Sequence, residues 1–125
     1  MSDPAFLLDT NILIYLVAGE SDRLLAHVQR HEPGTIVTST LCVAEALFGV
    51  ARNGQAADIG RLLGVIAPQP FDLAAAVRFP DVPFRRGKLD RFIAAHALAL
   101  DLVLVTNNER DFADIPGLRI ENWTA

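Results

Sequence analysis

The chain has 125 residues, enough for about one domain and for a core that needs no covalent staples. With 11 Lys and Arg against 15 Asp and Glu, its net charge of −4 argues against a protein that holds nucleic acid by bulk positive charge, though not against a local basic patch. An apolar fraction of 51% excludes a disordered chain, and the single cysteine, Cys42, excludes an internal disulfide framework and a multi-cysteine zinc site.

In chain order, Ala5-Phe6-Leu7-Leu8 reads as a short buried strand ending at Asp9, because it is continuously apolar rather than alternating. Asp9-Thr10-Asn11 supplies helix-start chemistry, 12–18 the helix and Gly19 its stop. A second helix is expected from Ser21 or Asp22 to about His31, then a turn at Pro33-Gly34 and a strand over 35–38. Ser39 or Thr40 caps a helix over 41–52, and Asn53-Gly54 ends it before another over 55–65. The prolines in 66–71 confine any strand there to a short or edge one. Asp72 caps an alanine-rich helix to Arg78, 79–88 reads as a loop with some local order, and 89–100 as a strong helix. Strands follow at 102–105 and, at an edge, 118–120. Alternating strands and helices predict an α/β fold, with a parallel sheet covered by helices on both faces in a single domain over 1–125. The most apolar stretch, 92–105, is broken by His96 and Asp101, and Met1-Ser2-Asp3-Pro4 lacks the basic flank of a secretory signal. A cytoplasmic protein with no membrane association is expected.

The informative residues are carboxylates placed where apolar side chains belong. Asp9 stands at the carboxyl end of the first strand, the edge at which open α/β sheets bind ligands, although a helix cap alone would also explain it. Glu45 has Leu41, Cys42, Phe48 and Gly49 as its helical neighbours and so falls on an apolar face; the alternatives are a salt bridge or a helix turned to put Glu45 at the rim. Asp90 heads the stripe Ile93, Ala94, Ala97 and Leu98, at a helix start where the macrodipole also favours an acid. The loop from Thr106 to Asp111 brings more oxygen ligands to a strand end. Carboxylates about 4 Å apart repel by roughly 4 kcal/mol at an effective dielectric of 20, which a divalent cation relieves. Oxygen donors without His or Cys favour Mg²⁺, with Mn²⁺ as a substitute, and such sites handle phosphates.

Four blocks carry a family resemblance: Phe6-Leu7-Leu8-Asp9-Thr10-Asn11-Ile12-Leu13; Thr38-Ser39 through Ala44-Glu45-Ala46-Leu47; Leu89-Asp90-Arg91-Phe92-Ile93-Ala94-Ala95-His96-Ala97-Leu98; and Leu104-Val105-Thr106-Asn107-Asn108-Glu109-Arg110-Asp111-Phe112, with Glu121-Asn122-Trp123 closing the chain. Together they resemble PIN-domain ribonucleases, in particular the VapC-like toxins of bacterial toxin–antitoxin pairs. The resemblance implies a Rossmann-like three-layer α/β/α fold, dimerisation, a cognate antitoxin and Mg²⁺-dependent hydrolysis of RNA. It places metal-binding acids on Asp9, Glu45 and Asp90, and supporting polar residues on Asn11 and Thr106. The family's fourth acidic place falls on Asn108 here, with Asp111 three residues on as the alternative donor.

Arg85, Arg86, Lys88 and Arg91 cluster around Asp90 and are candidates for the RNA backbone, a solvated loop being the plainer account. His96 reads as structural, His27 and His31 as solvated, Cys42 as packed core rather than nucleophile, and Phe48, Phe92 and Trp123 as core or interface aromatics. The apolar surface over 12–17 is a candidate for dimer or antitoxin contacts, or for the core. Two other functions remain open at this point: a non-catalytic PIN-like module that binds RNA or protein, and a small phosphotransfer domain with Asp9 as acceptor. The latter is poorly served by a chain whose one lysine, Lys88, lies in a loop.

Overall fold

The apolar runs form the middle of one sheet. β1 (Phe6–Leu8) is flanked by β2 (Ile36–Ser39) and by the strand Val103–Val105; a short outer strand, Ala67–Gln69, pairs with β2 and the last, Ile120–Glu121, closes the opposite edge. Numbered in chain order as β3, β4 and β5, these three complete a parallel sheet of order β3-β2-β1-β4-β5. The structure, a computed structural model, describes residues 3–86 and 88–125. Met1 and Ser2 of the N-terminal segment read above, and Gly87 of the expected loop, lie outside it.

From β1 the chain steps outward through β2 to β3, then returns to place β4 on the other side of β1. The order therefore reverses between β1 and β4, and the crevice beyond their carboxyl ends is where such sheets accept ligands. Leu8 is level with Thr38 and Val105, so Asp9 and Thr106 emerge side by side at that edge.

The helices are α1 (Thr10–Ala18), α2 (Asp22–Gln29), α3 (Thr40–Val50), α4 (Ala56–Leu62), α5 (Leu73–Val77) and α6 (Asp90–Leu100). α1, α3 and α4 pack together, and α5 packs on α6. Right-handed crossovers put these two groups on opposite faces of the sheet. Four helix starts are capped as their sequences suggest: Asp9, Ser21, Ser39 and Asp72 accept from the backbone N–H groups of Ile12, Leu24, Leu41 and Ala75. Gly19 ends α1 at φ +67, a left-handed turn that a side chain would strain. A Cβ at Gly49 would stand 3.2 Å from Ile14 Cδ1, a tight contact to which the Ile14 side chain would have to yield.

The structure departs from the sequence reading in places. α4 stops at Leu62 because the backbone turns back at Gly64, whose N–H donates to Arg61. β5 begins two residues later than expected, after a turn at Gly117, φ +78. His27 and His31 are half-buried rather than fully solvated: their rings stack on Trp123, with centroids 5.1 and 5.2 Å away. Trp123 is core, 1% exposed, whereas Phe48 is 84% exposed and belongs to no core. No helix among the described residues is long and apolar enough to cross a membrane.

Candidate functional site

The crevice at the reversal of strand order is acidic. A cavity of about 90 Å³ there is lined by Asp9, Thr10, Asn11, Glu45, Asp90, Asn108 and Phe112. These residues come from the turn after β1, from α1, α3 and α6, and from the loop after β4, so the sequence-distant carboxylates do meet.

Asp9 is 6% exposed. Its Oδ1 accepts the Ile12 N–H at 3.2 Å and its carboxylate accepts from the Thr106 hydroxyl, while its own N–H donates to the Val105 carbonyl at 3.0 Å. Thr106 is fully buried and its Oγ1 accepts the Asn108 N–H at 3.0 Å, which threads the β4 loop onto Asp9. Burial pushes the Asp9 carboxyl up from 3.8 to about 6 against those hydrogen bonds, and the charges of Asp90 and Glu45 add to the rise. Asp90 is also held above the ordinary carboxylate range, by burial first, then by the facing carboxyl of Asp111 and the charge of Glu45; Lys88 opposes this.

Glu45 is where the helix reading needs correction. The core face of α3 is Cys42, Ala46 and Val50, and Phe48 and Gly49 are exposed. The helix is turned so that Glu45 stands half-buried at the rim, and Thr10 Oγ1 donates to its Oε1 at 2.5 Å. In the sequence Thr10 reads only as part of a helix start and Phe112 carries no functional signal, yet both line the cavity. Nothing local marks either, since their roles depend on which helix faces them.

A single 3₁₀ turn, Glu109–Asp111, folds Asp111 back toward α6, and Asn108 Nδ2 donates to Asp111 Oδ2 at 2.6 Å. Asn108 lines the cavity and is hydrogen-bonded to Asp111, which faces Asp90.

The basic cluster divides. Arg86 and Lys88 are exposed, and Lys88 acts on Asp90. Arg85 pairs with Asp114 at 3.3 Å. Arg91 leaves the expected surface altogether. It is 1% exposed, with its guanidinium on both carboxylate oxygens of Asp114 at 3.1 and 3.3 Å, on the Asp111 carbonyl at 2.5 Å and on the Pro83 carbonyl at 3.4 Å. It clamps the loop before α6 to the connector between β4 and β5. Cys42 is fully buried and its thiol is pushed up to about 12, chiefly by burial, which leaves it inert as a nucleophile.

The donors facing the cavity are carboxylate, amide and hydroxyl oxygens, the set preferred by Mg²⁺ and Mn²⁺. Among the described residues no three acidic, histidine or cysteine side chains are gathered tightly enough to cage an ion by themselves.

Compared with known proteins, the chain matches the PIN domain family model over residues 6–118. It belongs to the PIN-domain family. Within that family it is of the VapC type: Ribonuclease VapC2 of Haemophilus influenzae is 31% identical to it, over 94% of this chain and 97% of the relative. The tRNA(fMet)-specific endonuclease VapC of Salmonella typhimurium is 28% identical over the same shares. Among solved structures, DNA-bound VapBC from Salmonella typhimurium superimposes with a TM-score of 0.81 at 26% identity, over 96% of this chain and 98% of that one. VapBC2 from Rickettsia felis, bound to a promoter DNA fragment, gives 0.80 at 25% identity, over 95% and 98%. This PIN domain therefore shares the whole α/β scaffold of those proteins.

Proposed function

We propose that this PIN domain is a Mg²⁺-dependent endoribonuclease, Mn²⁺ substituting, and that it is the toxin of a toxin–antitoxin pair. The observation that carries the reading is the convergence of Asp9, Glu45 and Asp90, with Asp111 behind Asp90, on one crevice at the switch point of the sheet. The relatives named ribonuclease and endonuclease support RNA as substrate, and the VapBC titles of the structural neighbours support an antitoxin partner. A homodimer accords with the same family reading.

Asp9 and Asp90 would hold the ion, and Glu45, which accepts from Thr10, would complete or orient the set of oxygen donors. When bound, a divalent cation neutralises phosphate charge and lowers the pKa of a coordinated water. Thr106 and the Ile12 N–H keep the Asp9 carboxylate aimed and partly compensated. Asn108 keeps Asp111 against Asp90, and Asn11 borders the opening. Arg86 and Lys88 meet the RNA backbone beside the cleft, with Arg85 shared between RNA and Asp114.

Chelation with EDTA should abolish cleavage of RNA, and added Mg²⁺ or Mn²⁺ should restore it. Cleavage that survives exhaustive chelation removes the metal from the reading. Replacing Arg86 and Lys88 together by Gln should weaken RNA binding at low salt and flatten the slope of log affinity against log salt by about one or two, since each phosphate contact contributes roughly 0.7–0.9. An unchanged slope in filter binding assigns the contact to other residues.

A further inference from the structure

His96 lines none of the cleft, yet it is 1% exposed in the middle of α6. A buried imidazole is costly unless both nitrogens are bonded, and here both are. Nδ1 lies 2.8 Å from Ser39 Oγ, and the ring also hydrogen-bonds the backbone of Pro70. Proline has no N–H, so its carbonyl accepts and Nε2, the remaining nitrogen, donates. Ser39 Oγ already accepts the Leu41 N–H at 3.1 Å, which leaves its hydroxyl proton for Nδ1. One state satisfies every group: a neutral ring protonated on Nε2. Burial favours the same neutral form, while the charge of Asp72 opposes it. Beside the ring, Phe71 stands edge-on at 5.5 Å and its N–H donates to Thr40 Oγ1 at 3.2 Å. The start of α3, the segment after β3 and the middle of α6 are thus joined at one level.

α3 packs with α1 and α4, whereas α6 packs with α5, so the imidazole is a polar link between the two helix layers. We propose that His96 is a positioning residue for the acidic cleft: by tying α6 to the N-cap of α3 it sets the separation of Asp90 from Glu45. The consequence for the metal rests on the nuclease reading; the tie between helices does not.

The test uses the full chain with nitroxide labels at cysteines introduced for Phe48 and Leu100, both exposed, Cys42 being too buried to react. Pulsed electron spin resonance then reads the α3–α6 distance, and Mn²⁺ titration reads ion affinity without RNA. His96→Leu should broaden the distance distribution and weaken Mn²⁺ binding about 10-fold. His96→Asn, which keeps an acceptor near Nδ1, should recover much of both. If His96→Leu does not fold, Ser39→Ala breaks the same bond from the other side and should broaden the same distance. An unchanged distribution in every folded variant overturns the proposal. A broadened distribution in a protein whose wild type neither binds Mn²⁺ nor cuts RNA upholds the tie and overturns the nuclease reading instead.

Discussion

Asp9→Asn should lower RNA cleavage at least about a hundredfold while making the protein more stable at neutral pH, the loss being of the size seen when a single charge-stabilising group is removed from an active site. Both effects have one source. The Asp9 carboxyl rises from 3.8 to about 6 because it is buried, with Asp90 and Glu45 nearby. An acid whose folded-state value is raised opposes folding once the unfolded chain ionises. Below pH 3.8 Asp9 is neutral in both states and carries no penalty. Between 3.8 and about 6 the penalty grows, and above 6 it is complete, at ~3 kcal/mol. The raised value of Asp90 acts in the same sense. Asparagine keeps the cap on α1, because its side-chain oxygen still accepts the Ile12 N–H. Thermal unfolding at pH 7.5 should therefore give a higher Tm for the variant, and at pH 3.5 the two curves should nearly coincide. Adding Mg²⁺ should raise the Tm of the wild type and leave the variant almost unmoved, since a ligand stabilises only what it binds. Full cleavage by Asp9→Asn, or a lower Tm at neutral pH, contradicts the role given to this residue.

Arg91→Ala should be the most destabilising single change near the site, by ~3–4 kcal/mol. The substitution empties a large buried volume and strips the Asp111 and Pro83 carbonyls of their donor. For a chain of this size that is a fall in Tm of about 10 °C or more. Because the same guanidinium holds the loop bearing Asp111, the surviving folded protein should also bind Mn²⁺ more weakly. Arg91→Lys keeps the charge but not the planar fork that spans Asp114 and two carbonyls, so it should recover little of the lost stability. If Arg91→Ala left Tm unchanged and weakened RNA binding alone, Arg91 would return to the RNA-facing surface where the sequence placed it.

Much of the site was legible in the chain because acids at strand ends and on an otherwise apolar stripe stand out locally. Asp9 at the end of an apolar run and Asp90 at the head of an alanine-rich helix needed no partner to be noticed. Glu45 was noticed for a partly mistaken reason. Its neighbours Phe48 and Gly49 read as packing residues, but both are exposed. Thr10, which donates to Glu45, and Phe112, which walls the cavity, carry no local mark of that work, since each meets residues distant in the chain.

By itself the sequence determined the alternation of buried strands and helices, the caps that start those helices, the oxygen-only chemistry of the site and the exclusion of cysteine chemistry. These depend on local periodicity, backbone preference and composition, which neighbouring residues settle among themselves. Only the tertiary structure decided which face α3 turns to the core, that Asn108 and Asp111 are hydrogen-bonded, and that Arg91 is a buried clamp while Arg86 and Lys88 remain at the surface. A run of Arg and Lys reads alike whether its members meet water or a carboxylate. That choice is made by Asp114 and by backbone carbonyls far along the chain, which supply the pairing that makes burying a guanidinium affordable.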